Sequence, residues 1–244
     1  LSGKPCFAEE MGVLGPMLVS DEYAADYIRA ALLTLMAHNG YGMLWWCGFE
    51  QSALTHTPYD WNGVERELGL FRMDMAPKPV TRTMTAFSSF IKDLPFARLP
   101  QRITDAVCIL TRGQDTWAAA YGAFILARQA HVDISFAWAD GPIPEAKTYI
   151  LPSLTGDSPM NLSVQKQLME RVHQGARLYM SLDGVLLSPF ASFSGLRVLT
   201  RAHAPQETQV LLGDASIRLR RAYQLRCACT GAEALAYTAG GDIA

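Results

Sequence analysis

The stretch Lys4-Pro5-Cys6-Phe7-Ala8-Glu9-Glu10-Met11-Gly12 decides how the first part of the chain is read. A short apolar run enters through Lys-Pro, closes on two carboxylates and meets a glycine at once, the pattern of a β-strand that delivers an acid into a loop. Parallel α/β proteins keep their ligands at the carboxyl ends of strands. Adjacent strand residues face opposite sides of a sheet, so Glu9 and Glu10 cannot share one role. Cys6, Ala8 and Glu10 form one row whose smaller members suit a crowded interior, which aims Glu10 at a site and Glu9 away from it.

Downstream of a loop at residues 12–16, Ser20 is a helix N-cap with Asp21 and Glu22 in the first turn, where the helix dipole favours acids. Tyr23, Tyr27, Ala31 and Leu35 make one helical row, with Ile28 and Leu32 beside it, until Asn39-Gly40 closes the helix. Residues 43–49 read as a strand buried on both faces, and a long polar and aromatic loop runs from Glu50 to Lys78. Pro79 then opens a helix on which Val80, Met84, Phe87, Ile91 and Leu94 share a face. The order is β-α-β-α.

Two prolines in residues 95–102 mark a boundary, and a new α/β series follows. Strands are expected over residues 106–111, 134–138, 148–151 (stopped by Pro152) and 177–182. Helices are expected over 117–129 and from a cap at Asn161 or Ser163 to Gly175, with Val164, Leu168 and Val172 on one face. This alternation implies a parallel sheet with helices on its faces. Beyond Leu196, short alternating stretches at 209–212, 217–223 and 233–237 read as the opening of an antiparallel β domain. The class is α/β, in three parts: 1–95, 103–200 and 205–244.

Composition narrows the function. Of 244 residues, 21 are Lys or Arg and 23 Asp or Glu, and half are hydrophobic, which excludes a disordered chain and a polybasic nucleic-acid binder. No apolar run is long enough to span a bilayer, so no membrane partner is expected. Five cysteines in no framework spacing argue for thiols over disulfides. Cys227-x-Cys229 lacks the further Cys or His ligands a zinc site needs, so no metal is expected. Both ends of the chain read as the inside of a longer protein.

The chemistry gathers around a second segment, Gly40-Tyr41-Gly42-Met43-Leu44-Trp45-Trp46-Cys47-Gly48-Phe49, which sets tandem tryptophans at the end of the next strand. An aromatic face there can stack on the apolar face of a sugar, with a neighbouring carboxylate reaching its anomeric carbon. One of the two tryptophans is expected in the core. His56 and Trp61, with Tyr59 and Asp60, are candidates for lining a sugar cleft. Trp61-Asn62-Gly63, Glu67-Leu68-Gly69-Leu70, Asp74 and Lys78-Pro79 follow in order.

That ordered series resembles the end of a clan A glycoside hydrolase, most like the family five cellulases and β-mannanases. The resemblance spans residues 1–95 and implies the last two βα units of a (β/α)8 barrel. It implies that Glu10 is the nucleophile, with Met11 standing where the family usually has Phe or Tyr before glycine. It also implies that Trp46, and less well Trp45, lines the sugar site nearest the cleavage point, and that Gly69, Leu70, Lys78 and Pro79 belong to the approach to the closing helix.

The second region resembles the class I glutamine amidotransferase-like, or flavodoxin-like, domain that follows the barrel in some β-galactosidase-like enzymes. Tyr149-Ile150-Leu151-Pro152-Ser153-Leu154, the helix after it and the next strand carry the likeness. No Gly-x-Cys-x-Gly occurs, so the domain is expected to be catalytically silent. Gly231-Ala232-Glu233-Ala234-Leu235-Ala236-Tyr237 resembles part of the small β domain that ends such enzymes. Thr111-Arg112-Gly113-Gln114-Asp115-Thr116 joins a strand to a helix as phosphate loops do. With one glycine and an Asp facing the phosphate it reads as a plain connection, and no cofactor is expected.

A retaining glycosidase needs a second carboxyl as acid/base. The resemblance places it in an Asn-Glu pair, yet Asn39, Asn62 and Asn161 are followed by Gly, Gly and Leu. Two of eight βα units cannot close a barrel. The expectation is therefore a C-terminal portion of a retaining β-glycosidase acting on oligo- or polysaccharides, completed by a missing N-terminal barrel segment. Homo-oligomerisation through the second domain is compatible with it, as are cytoplasmic and secreted locations. The competing expectation is a non-catalytic carbohydrate-binding or oligomerisation module, and a third is a flavodoxin-like cofactor binder.

Overall fold

Ser20 starts the first helix by accepting a hydrogen bond on its Oγ from the Tyr23 N–H at 3.2 Å, with Asp21 and Glu22 in the first turn. This helix, α1 (Asp21–Ala37), ends where Asn39 turns to φ 58° and the Gly40 N–H donates to Leu35 O at 2.7 Å. A computed structural model supplies this architecture and describes residues 4–13, 18–61, 66–156, 159–182 and 190–244. Most of the loop expected at 12–16, and the Asn62-Gly63 pair, lie outside the described residues. The chain divides into two compact units, one up to Arg102 and one over Ile103–Ala244.

In the first unit, β1 (Ala8–Met11) and β2 (Met43–Trp45) form a two-stranded parallel sheet, followed by α2 (Pro79–Lys92) with Pro79 in its first turn. Ile28 and Leu32 of α1 and Val80 of α2 are buried, packed with Met43, Trp45, Met84 and Phe87. Helices thus cover one face of the sheet. β2 is shorter than the expected run at 43–49. The Cys47 and Gly48 carbonyls leave the ladder and accept instead from the Leu70 and Phe71 N–H groups of the following loop.

The second unit holds β3 (Ala106–Leu110), α3 (Thr116–Gln129), β4 (Ile134–Trp138), β5 (Thr148–Leu154), α4 (Leu162–His173) and β6 (Arg177–Leu182). The sheet is parallel in the order β4-β3-β5-β6, so the crossover direction switches between β3 and β5. Val107, Ile109, Tyr149, Leu151 and Leu168 fill one side of it, and Ala106, Cys108, Leu110, Ala120 and Ile134 the other. Burial pushes the Cys108 thiol up to about 12. Contrary to expectation, β5 runs through Pro152. The missing N–H falls where the pairing with β6 is irregular, between Leu151 and Leu154.

β7 (Leu196–Leu212) and β8 (Ala215–Cys229) form one long antiparallel hairpin around Gly213, with β9 (Tyr237–Thr238) beside β7. The stretches expected at 209–212 and 217–223 are the two arms near its tip. The hairpin is exposed along much of both strands, so apolar alternation marked only parts of its length in the sequence.

Candidate functional site

The carboxyl ends of β1 and β2 lie side by side. The Trp46 N–H donates to Met11 O at 2.8 Å, and Met11 pairs with Trp45. A Cβ on Gly12 would stand 2.9 Å from Trp46 O, so glycine is what lets the two chain ends approach. Trp45 is the core tryptophan: it packs among the helices and donates its Nε1–H to Leu68 O at 3.0 Å. Trp46 is 45% exposed, as is Leu44 in larger measure, on the face without helices.

Glu10 directly precedes Met11, whose carbonyl accepts from the Trp46 N–H. Both Glu9 and Glu10 are exposed. The route to this placement differs from the expectation. Ala8 pairs with Met43 and Met11 with Trp45, so β1 spends three residues where β2 spends two. This bulge interrupts the row Cys6-Ala8-Glu10, and strict alternation does not by itself separate Glu9 from Glu10.

The loop between Trp46 and α2 is strapped to itself. Leu70 N–H donates to Cys47 O at 3.0 Å, Phe71 N–H to Gly48 O at 3.1 Å and Glu50 N–H to Phe71 O at 3.0 Å. Gly69 lies against the Phe49-Glu50 backbone, where a Cβ would come within 2.2 Å of the Glu50 nitrogen. Further out, Gln51 N–H donates to Arg66 O at 2.7 Å and Arg66 Nη2 to Ser52 O at 2.5 Å, closing the base of a lobe. That lobe carries His56, edge-on to Tyr59 at 5.5 Å, and Trp61, 73% exposed. Among the described residues no hydrogen bond or ring contact joins His56 or Trp61 to Glu10 or Trp46.

Beneath the loop is an ionic cluster that sequence reasoning missed. Lys78, 3% exposed, sets Nζ 2.5 Å from Glu50 Oε1, donates to Glu67 O at 2.5 Å and lies 3.9 Å from Asp21 Oδ1. Arg72 pairs with Asp21 and stands 3.7 Å from Glu50 Oε1. Its hydrogen bond to Asp21, and then the Asp21 charge, raise the guanidinium pKa. The signal was present only as Lys78-Pro79 and as an Asp in a first helical turn, each with a local explanation.

A cavity of about 970 Å³, lined by Leu32, Leu35, Tyr41, Phe87, Ile91 and Phe96, lies by the residues that enter β2, away from the carboxyl ends. It is apart from the Glu10–Trp46 pair.

In the second unit the crevice between β3 and β5, where ligands of such sheets bind, is occupied by the chain's own groups. Gln114 is buried, its Oε1 accepting from Thr111 N–H at 2.6 Å and Oγ1 at 2.9 Å, its Nε2 donating to Pro152 O at 2.9 Å. Asp115 accepts from Ala118 N–H at 3.0 Å, so a carboxylate already caps the start of α3. A guanidinium hydrogen bond from Arg112 holds Asp140 below the usual carboxylate range. No group of three or more metal-ligating side chains occurs among the described residues. Burial, then the neighbouring Cys229, pushes the Cys227 thiol up.

No protein-family model matches the chain, and no curated protein matches it by sequence. Solved structures do match its fold. An exo-β-1,4-mannosidase from Opitutaceae bacterium strain TAV5 aligns with a TM-score of 0.75 at 19% identity, over 97% of this chain and 44% of the other. A β-galactosidase from the haloarchaeon Halorubrum lacusprofundi aligns at 0.61 and 13% identity, over 88% of this chain and 34% of that one. A β-galactosidase from the psychrophile Marinomonas ef1 aligns at 0.58 and 14% identity, over 90% and 36%. The chain therefore spans less than half the length of each of these glycoside hydrolases, whose fold it shares over most of its own length.

Proposed function

We propose that the chain is the C-terminal part of a retaining β-glycosidase, with Glu10 as nucleophile and Trp46 as the platform for the sugar whose bond is cut. One observation carries the reading: an exposed carboxylate and an exposed indole at the carboxyl ends of adjacent parallel strands, tied by the Trp46 N–H to Met11 O bond. The fold shared with an exo-β-1,4-mannosidase and two β-galactosidases supports it.

In this reading the sugar stacks on Trp46, and a Glu10 carboxylate oxygen attacks the anomeric carbon as the glycosidic bond breaks. A second carboxyl protonates the leaving oxygen, then takes a proton from the water that cleaves the glycosyl-enzyme ester. That acid/base comes from an upstream barrel segment, which also covers the open face of β1 and β2. The His56–Trp61 lobe lies along the path of sugars further from the cut. The second unit is an amidotransferase-like domain without catalysis of its own, a reading that the parallel β4-β3-β5-β6 order and the Gln114-filled crevice support.

The test is Glu10→Gln against Glu9→Gln in the protein that contains this chain, assayed on a panel of aryl β-glycosides. Glu10→Gln should lose several orders of magnitude in kcat, while Glu9→Gln keeps most of it. Sugar binding without turnover by the unaltered protein would instead favour a non-catalytic carbohydrate-binding module.

A further inference from the structure

We infer that Asp21, Glu50, Arg72 and Lys78 form a clasp that joins the two strand-to-helix loops of the first unit and thereby positions Trp46 beside Glu10. Asp21 opens α1, so it ends the connection that leaves β1 after Met11, the residue next to Glu10. Glu50 follows Trp46 by four residues, and Arg72 and Lys78 end the same loop at the start of α2. The quartet therefore bridges the two loops leaving β1 and β2, and it balances two positive against two negative charges.

The path from the clasp to Trp46 is short. Lys78 Nζ meets Glu50 at 2.5 Å while the Lys78 N–H donates to Leu70 O at 3.0 Å. Thr81 Oγ1 donates to the same carbonyl at 2.5 Å, and the Leu70 N–H donates to Cys47 O, one residue past Trp46. On the other side Arg72 holds Asp21 and stands 3.7 Å from Glu50. A buried ion pair is a poor way to gain stability, because desolvation offsets most of the attraction. Such pairs serve better to select one arrangement among several, and here the arrangement selected is the relation of the two loops. Lys78, Glu50, Arg72 and Asp21 are thus positioning residues. Their role in turnover rests on the glycosidase reading, but their role in placing Trp46 does not.

The experiment is fluorine NMR of the protein labelled with fluorotryptophan, Trp46 being assigned through Trp46→Phe, together with kcat and KM on a β-glycoside. In Lys78→Met the Trp46 resonance should move while those of Trp117 and Trp138 stay, and KM should rise about tenfold with a smaller fall in kcat. Glu50→Gln, a near-isosteric change, should move the same resonance less. Lys78→Met combined with Glu50→Gln should recover part of the loss, because neither charge is then left alone. An unmoved Trp46 resonance in both single variants would overturn the inference, as would losses that track only the folded fraction. Should Lys78→Met not fold, Glu50→Gln alone decides by the same resonance. A wild-type protein without turnover would sink the glycosidase reading, and the resonance would still decide the clasp.

Discussion

In the second unit β3 is buried at all five positions, whereas in the first unit no residue of β1 or β2 is buried. β3 sits between two strands with apolar clusters on both faces. The β1–β2 pair has helices on one side, and Leu44 and Trp46 stand exposed on the other. An isolated pair of strands is marginal in water, so the open face is a surface that needs a cover. The contrast supports the proposed place of the chemistry. The exposed acid and indole lie on the open sheet, while the closed sheet fills its own crevice with Gln114.

The largest effect expected from this contrast is on stability. Leu110→Ala in the closed sheet should cost about 2–5 kcal/mol in urea unfolding, from lost burial plus a cavity. Measured on the 244-residue chain by itself, Leu44→Ala on the open face should change the unfolding free energy by no more than about 0.5 kcal/mol. Equal costs would erase the distinction between the two sheets.

A smaller effect sharpens the site. Gly69→Ala forces a Cβ against the Glu50 backbone and should cost about 1–3 kcal/mol, with a change in the environment of Trp45, whose indole bonds the adjacent Leu68 carbonyl. Near-ultraviolet circular dichroism and a urea melt would read both.

The smallest effect is electrostatic. Asp140 is held below its usual pKa by Arg112, so the stability it contributes is present above the unfolded carboxylate value and is lost as pH falls through the lower folded one. Because the pair is exposed, Asp140→Asn should lower the thermal midpoint only slightly at neutral pH, and the difference from the unaltered protein should disappear as the pH falls through the folded carboxylate value. A loss as large in acid as at neutral pH would contradict the assignment.

Much of the local structure was legible in the sequence because its causes are local. Ser20 before two acids, Pro79 at a helix start and the apolar run at 134–138 each carry their reason within a few residues. Pairing is not local, and there the reading stopped. The bulge that carries Glu9 and Glu10 exists only in register with β2, and nothing in the β1 stretch marks it. The hairpin of β7 and β8 read as fragments because exposure along most of β7 and the tip half of β8 left only short alternating stretches to follow. Of the site, two tryptophans were visible, but which one is core depends on Leu68 and the helices. The clasp stayed hidden because its members stand at 21, 50, 72 and 78, and only the fold brings them together.

The central claim is that Glu10 forms a covalent bond to sugar. Incubating the protein that contains this chain with a panel of fluorinated β-glycosides that trap a retaining nucleophile, then measuring intact and peptide masses, tests it directly. The account predicts a gain of one sugar, carried by the peptide that holds Glu10 and absent from Glu10→Gln. Turnover of the matching unfluorinated glycoside with no adduct, or with the adduct on another peptide, would contradict it.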